Sequence, residues 1–244
     1  LAVGYEYPAA TGEMLRSTDG GNTWLVLNTL PPGSNSNRYF THVDAENGKV
    51  RASLFNPSSS KIFSTSNFGD NWIEVSPPAY INDFDWLNSS TGWVAGNSGT
   101  IYYTTNGGYN WITQVSGTTF QLRAVDFINS NTGWVAGIGL YKTTNSGMNW
   151  TVINSSFTAS DIYFRDENTG FALGSNIVRM TQDGGVTWNV IYTGTTNVNY
   201  AMTIYDFVII LTGLQTREIQ KTTNNGNNWV NMSAGTTNQQ LSDI

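Results

Sequence analysis

A run of eight residues recurs six times along this 244-residue chain. The copies read STDGGNTW, TSNFGDNW, TTNGGYNW, TTNSGMNW, TQDGGVTW and TTNNGNNW, ending at Trp24, Trp72, Trp111, Trp150, Trp188 and Trp229. Their intervals are 48, 39, 39, 38 and 41 residues, the period of a four-stranded propeller blade. A second motif keeps phase with the first. TGWVAG ends at Gly96 and again at Gly137, and TGFALG ends at Gly174, each ahead of an octapeptide. The stretches INDFDWL, LRAVDFI and SDIYFRD read as the first strands of three units. Period-two alternation with aromatic and β-branched residues marks strands, and the Asn-Gly and Ser-Gly clusters between them mark hairpins. No segment carries a helical period. The expectation is an all-β chain, one domain over residues 1–244, forming a six-bladed propeller of four-stranded antiparallel blades.

The residues of the octapeptide are those of a turn. Its first Thr or Ser offers a hydroxyl, its third residue accepts backbone N–H groups, and a glycine supplies positive φ at no steric cost. The tryptophan then returns to bury a large surface between adjacent sheets. The third position is acidic at Asp19 and Asp183 but an amide at Asn67, Asn106, Asn145 and Asn224. A carboxylate needed for acid, base or metal chemistry is not interchangeable with an amide, whereas a turn-capping oxygen is. The motif is therefore read as architecture.

The two ends complete one another. Leu1–Gly4, LAVG, resembles the WVAG strands, and Leu241–Ile244, LSDI, resembles the ASDI that opens the first strand at Ala159–Ile162. The C-terminus is expected to supply the inner strand of the blade whose outer three strands come from the N-terminus, closing the ring and removing exposed sheet edges. Asn28–Arg38, Asn56–Lys61 and Thr212–Glu218 read as loops within that ring. With no initiator Met and no basic-apolar leader at Leu1, the chain reads as a mature or excised segment.

The pattern S/T-x-D-x-G-x-T-W resembles the Asp-box of bacterial sialidases, sortilin-type receptors and xyloglucanases. TGWVAG followed by a short strand and TTNGGYNW is most similar to the propeller repeats of the photosystem II stability and assembly factor family, repeats also found in exported proteins of non-photosynthetic bacteria. The resemblance covers nearly the whole chain and implies a propeller. It leaves function open, because enzymes, receptors and assembly factors share the motif.

Composition narrows the chemistry. Seventeen acids against eleven bases give a net charge of −6, and no run of like charge exceeds two, which argues against the clustered Lys and Arg of a nucleic-acid footprint. There is no cysteine and one histidine, so thiolate chemistry and His-clustered metal sites are excluded, and no cofactor or metal is expected. The apolar run Phe207–Leu211 is far shorter than the roughly 20 residues of a membrane helix, so no membrane insertion is expected. No GxxxxGK[ST], GxSxG or HExxH is present. A sialidase, by the resemblance, would need three converging arginines with one in an F/Y-R-I-P motif. None of the seven arginines lies in such a motif.

What remains is the inner-strand mouth. Asp83 and Asp85 share one face of an inner strand, with Asp161, Asp243 and His42 in the repeat column of Asp83. Arg123 and Arg165 lie in or beside inner strands. The resembled assembly-factor family implies an arginine-lined contact surface, but these arginines do not recur in one column. His42, Asp83, Asp85, Arg123, Asp161 and Asp243 are the candidate binding residues, as a polar or cation-binding ring. Tyr5, Tyr7, Tyr102, Tyr103 and Tyr109 are candidate surface aromatics. The expected function is a non-catalytic module on an exported bacterial protein, extracellular or at the cell surface, meeting a protein or glycan partner. A self-associating subunit of an adhesin or filament is one alternative. A glycoside hydrolase or lyase working through paired carboxylates is the other.

Overall fold

The computed structural model describes residues 2–6, 11–16, 23, 25–26, 40–46, 49–54, 60–67, 69–77, 79–194, 200–205, 208–213, 219–232 and 240–243. These form antiparallel sheets of three or four strands, with a single 3₁₀ turn at Asn97–Gly99. In chain order the strands are β1 (Ala2–Glu6), β2 (Thr11–Arg16) and β3 (Leu25–Val26), then β4 (Phe40–Glu46), β5 (Lys49–Leu54), β6 (Lys61–Thr65) and β7 (Ile73–Glu74). Next come β8 (Ile81–Trp86), β9 (Gly92–Gly96), β10 (Thr100–Thr104) and β11 (Ile112–Val115), then β12 (Leu122–Phe127), β13 (Gly133–Thr143) and β14 (Thr151–Thr158). The last are β15 (Asp161–Phe164), β16 (Gly170–Gly174), β17 (Ile177–Thr181) and β18 (Asn189–Thr193), then β19 (Tyr200–Tyr205), β20 (Val208–Gly213), β21 (Ile219–Thr222), β22 (Val230–Asn231) and β23 (Gln240–Asp243).

Each sheet is a meander of consecutive strands, except that β23 pairs with β1 in the order β23-β1-β2-β3. That pairing places Val3 opposite Asp243 and Gly4 opposite Leu241. In the β12-β13-β14 sheet, the first half of β13 pairs with β12 and the second half with β14. One continuous strand, with Gly139 at φ 93, holds the places that two strands hold elsewhere. Lys61, Thr212 and Gly213, read from sequence as loop, belong to β6 and β20. Asn28–Arg38 lies outside the described residues.

The octapeptide turn repeats atom for atom. Thr104 Oγ1 accepts from Gly108 N at 3.0 Å, and Asn106 Oδ1 accepts from Asn110 N at 2.9 Å and from the Thr104 hydroxyl at 3.0 Å. The same bonds form around Thr65 and Asn67, Thr143 and Asn145, Thr181 and Asp183, and Thr222 and Asn224. Asp19 and Trp24 lie outside the described residues. The choice of acid or amide follows the seventh residue: Asp stands with Thr23 and Thr187, Asn with Asn71, Asn110, Asn149 and Asn228. Asp183 shows the reason, because its second oxygen accepts the Thr187 hydroxyl at 2.6 Å. That hydroxyl, then the Thr187 N–H, holds the Asp183 carboxyl below the usual range.

Adjacent sheets are joined by aromatic stacks. Trp93 lies flat on Phe127 of the next sheet, ring centroids 3.6 Å apart, and Trp134 on Phe164 at 3.7 Å. In the sheet before, the Arg51 guanidinium takes that place at 3.7 Å over Trp86 and donates to the Ser89 carbonyl at 2.9 Å. The octapeptide tryptophans close the other side edge-on: Trp111 against Trp86, Trp150 against Phe127 and Trp188 against Phe164. The sequence leads one to expect these octapeptide tryptophans to bury a large surface between adjacent sheets. Among the described residues they are half-buried, and the fully buried indoles are Trp93 and Trp134 of the GW motif. The glycine before each GW aromatic is required by the same stack. A Cβ on Gly92, Gly133 or Gly170 would sit 2.4 to 2.6 Å from the ring of Trp86, Phe127 or Phe164.

Candidate functional site

The innermost strands are β23, β4, β8, β12, β15 and β19. Cα atoms of each lie within 8 Å of the next, from β4 to β8, β12, β15, β19, β23 and back to β4. Four of them carry a bulge at one level, where the register shifts between Phe40 and His42, Ile81 and Asp83, Leu122 and Ala124, and at Val3/Gly4 opposite β23. A bulge re-aims the residues beside it, and the predicted column begins there. His42 pairs with Ser53, Asp83 with Ala95, Ala124 with Ala136, Asp161 with Leu173 and Asp243 with Val3. The register thus puts His42, Asp83, Asp161 and Asp243 at one level. The side chains of His42 and Asp243 lie outside the described residues.

Two residues along, a second level holds Asp85 and Asp126. The Asp126 signal was present in the sequence, since Asp85-Trp86 and Asp126-Phe127 end their strands alike. The carboxylates of both levels reach sideways. Asp83 accepts Val125 N of the next sheet at 2.8 Å and its neighbour Phe84 N at 2.8 Å. Asp85 accepts Phe127 N at 2.7 Å, and Asp126 accepts Phe164 N at 2.6 Å. The bonds from Val125, Phe127 and Phe164 each join one inner strand to the next and satisfy a backbone donor facing the interior. Burial raises the Asp126 carboxyl well above the ordinary range. The charge of Asp85 raises it further, those of Asp161 and Asp83 add to this, and the Phe164 N–H opposes them. Among the described residues, no group of three or more His, Cys, Asp or Glu is arranged to hold a metal ion.

Arg123, the bulged residue of β12, is exposed at the rim rather than among the carboxylates. Its Nε–H donates to Gln121 Oε1 at 3.4 Å. Gln121 donates to Asn82, which in turn donates to Asn97 Oδ1 at 3.0 Å and to the Leu122 carbonyl at 2.7 Å. This polar chain spans two sheets. Beside it opens a groove of about 600 Å³, lined by the Asn97–Gly99 turn, Tyr102, Gln114, Val115, Thr118 and Phe120. Val115 and Phe120 are exposed in it, at 81% and 52%. Of the predicted aromatics, Tyr103 stacks on Trp93 at 4.8 Å and Tyr102 packs, half-buried, against the cluster of Ile62, Val75 and Trp86, so both belong to the fold. Tyr109 is exposed, Tyr7 lies outside the described residues, and Tyr5 is a strand residue paired with Gly12 on β2 and Gln240 on β23.

No protein-family model matches the sequence, and no curated protein matches it. Among solved structures the chain is similar to one from a nidogen/laminin complex, with TM-score 0.72 and 11% identity, covering 99% of this chain and 95% of that one. It is similar to YCF48 bound to D1 peptide, with TM-score 0.65 and 13% identity over 99% of this chain and 90% of the other. A GH74 enzyme of Niastella koreensis matches with TM-score 0.60 and 18% identity, over 79% of this chain and 38% of the enzyme. At these identities the likeness is one of fold, and the fold is that of a β-propeller.

Proposed function

We propose that the chain is a non-catalytic recognition module built on a single domain of six blades, with octapeptide turns of the Asp-box type. The blades close into a ring through the pairing of β23 with β1. The succession of contacts around the inner strands supports closure, and the hydrogen bonds repeated in five described turns support the turn assignment.

One observation carries the functional reading. Asp83, Asp85 and Asp126 are three of the carboxylates placed where a central active site would need them, and each accepts a backbone N–H of the adjacent inner strand. A hydrolytic pair presents one oxygen to the leaving group and another to sugar or water. Here the acids hold blade to blade. Recognition then falls to the rim groove with exposed Val115 and Phe120, which suits an extended segment of a protein partner. Structures of similar fold include one bound to a peptide and one in a protein complex. In this reading the module is extracellular or at the cell surface of a bacterium.

A second reading is self-association. The outermost strands expose Ile73, Ile112 and Val230 directly after the octapeptide tryptophan, and Val152 and Val190 one residue further on, so apolar side chains recur along the outer strands. Light scattering at several concentrations separates the two, since a module of 26.8 kDa keeps its mass and a building block grows.

The test of recognition is selection from a displayed random-peptide library against the whole chain, alongside assay of soluble polysaccharides for new reducing ends. Peptides that bind this chain and are lost on Val115→Asp or Phe120→Ser are expected. Polysaccharide cleavage that disappears in Asp85→Asn overturns the reading and restores the hydrolase.

A further inference from the structure

In the third strand of each blade, the residue two places before the octapeptide's first Thr faces the preceding sheet. It is Phe63 before Thr65, Tyr102 before Thr104, Tyr141 before Thr143 and Gln220 before Thr222. Phe63 and Tyr141 are buried, and Tyr102 packs against the cluster that holds Ile62, Val75 and Trp86. Before Thr181 the same place holds Arg179. Its cross-strand neighbours are Ala172 and Val190, and Ala172 packs into the core shared with Phe157 and Phe164, so Arg179 stands on the face turned toward β14.

An arginine in a packing column costs apolar contact and normally recovers it through an ion pair or a stack, as Arg51 does over Trp86. Among the described residues Arg179 makes no ion pair and no side-chain hydrogen bond. Instead it lines a cleft of about 440 Å³ between β14 and the β16–β17 hairpin, within the range of small-molecule sites. Asn154, Ser156, Thr158, Ser175 and Thr187 bring hydroxyls and an amide to that cleft. One wall is Phe157 stacked on Trp188, centroids 4.7 Å apart. A local rule broken without an internal partner marks a place where the fold serves a ligand.

We infer that this cleft binds a carboxylate-bearing saccharide, a uronic acid unit whose carboxylate meets the Arg179 guanidinium and whose hydroxyls meet the Ser, Thr and Asn side chains. The inference rests on the recognition reading above and names one ligand class for it, at a second place on the surface. A planar guanidinium takes a carboxylate through two parallel bonds. The paired aromatic rings offer an apolar wall to the C–H face of a sugar ring. An acidic peptide would supply the charge as well, and hexaglutamate in the test below separates it from a uronate; the hydroxyls and amide that line most of the cleft favour the saccharide.

The test is isothermal titration of the whole chain with short oligomers of galacturonate, mannuronate and hyaluronan, with a neutral galactose oligomer of equal length and hexaglutamate as comparators. Saturable binding of at least one uronate is expected, with no binding of the neutral oligomer. Arg179→Gln is expected to weaken it at least tenfold, and Arg179→Lys, which keeps the charge but loses the fork, by a smaller factor. Lys61→Gln, an equal change of charge beside Glu74 on another blade, leaves it unchanged. A thermal midpoint matching the parent shows that Arg179→Gln is folded. Absence of binding to all three uronates overturns the inference, as do equal binding by Arg179→Gln or equal binding of hexaglutamate. If the uronates fail while library peptides still bind at the rim groove, this inference falls and the recognition reading stands. Polysaccharide cleavage removes the recognition reading itself.

Discussion

Replacing Asp126 separates the two things its carboxylate does. It accepts the Phe164 N–H at 2.6 Å, and burial together with the charges of Asp85, Asp161 and Asp83 holds its carboxyl well above the ordinary range. A folded-state pKa above the unfolded one means that the folded chain binds more protons in between. The contribution is therefore most favourable below about pH 4 and is lost as pH rises through the folded value. Asp126→Asn keeps an oxygen for Phe164 N–H and removes the charge, so its stability relative to the parent should rise with pH. Asp126→Ala removes the acceptor and leaves a buried N–H without a partner, at a cost of about 1–3 kcal/mol. At roughly 2–4 °C per kcal/mol for a chain of this size, that is about 2–12 °C in Tm, read best near pH 3.5 where charge does not confuse it. The assay is calorimetric melting of the three proteins from pH 3.5 to 8. If Asp126→Asn falls as far as Asp126→Ala at pH 7, or keeps the parent's pH slope, the reasoning is refuted.

Gly133→Ala should cost about 3 kcal/mol in urea unfolding, because the new Cβ meets the Phe127 ring at 2.5 Å and that ring is already pressed on Trp93. Gly117→Ala, with nothing within 4 Å but φ 77, should cost only about 1 kcal/mol from the backbone. Thr187→Val removes the hydroxyl that keeps the Asp183 carboxyl low. The parent loses that contribution as pH falls through the depressed value, so the variant's Tm should drop less on acidification below pH 4. Asp183→Asn with Thr187→Asn reproduces the pairing of the other four turns, and the double variant should be more stable than the single changes predict by addition.

The sequence was most informative where one repeat determines itself. Octapeptide, GW strand and inner strand are local patterns, and among the described residues the strands lie where the spacing puts them. It was least informative where one repeat meets the next. That Trp93 and Trp134 are buried more deeply than Trp111 or Trp150 depends on which strand face a neighbouring blade covers, a relation no single repeat contains. Asp126 was passed over because its role lies in an N–H on another blade. Arg51 and Arg179 stand in aromatic columns, and only the register shows that the first has found a stack and the second faces a cleft. The merged strand β13 follows from a connection two residues shorter than its counterpart between β9 and β10. A periodic reading does not register that as a loss of separation.

The account depends on a ring made rigid by its own ends, and its most direct test is to lock them. Val3 and Asp243 are opposed on β1 and β23, and directly opposite residues of an antiparallel pair have Cα atoms within disulfide range. The chain has no cysteine of its own, so Val3→Cys with Asp243→Cys introduces one defined pair. On oxidation of dilute protein, the account predicts an intramolecular disulfide found by peptide mapping and a higher Tm than in the reduced form, since the bond closes nearly the whole chain. Free thiols after oxidation, or dimers linked only between chains, would contradict the closed ring and the rigid module built on it.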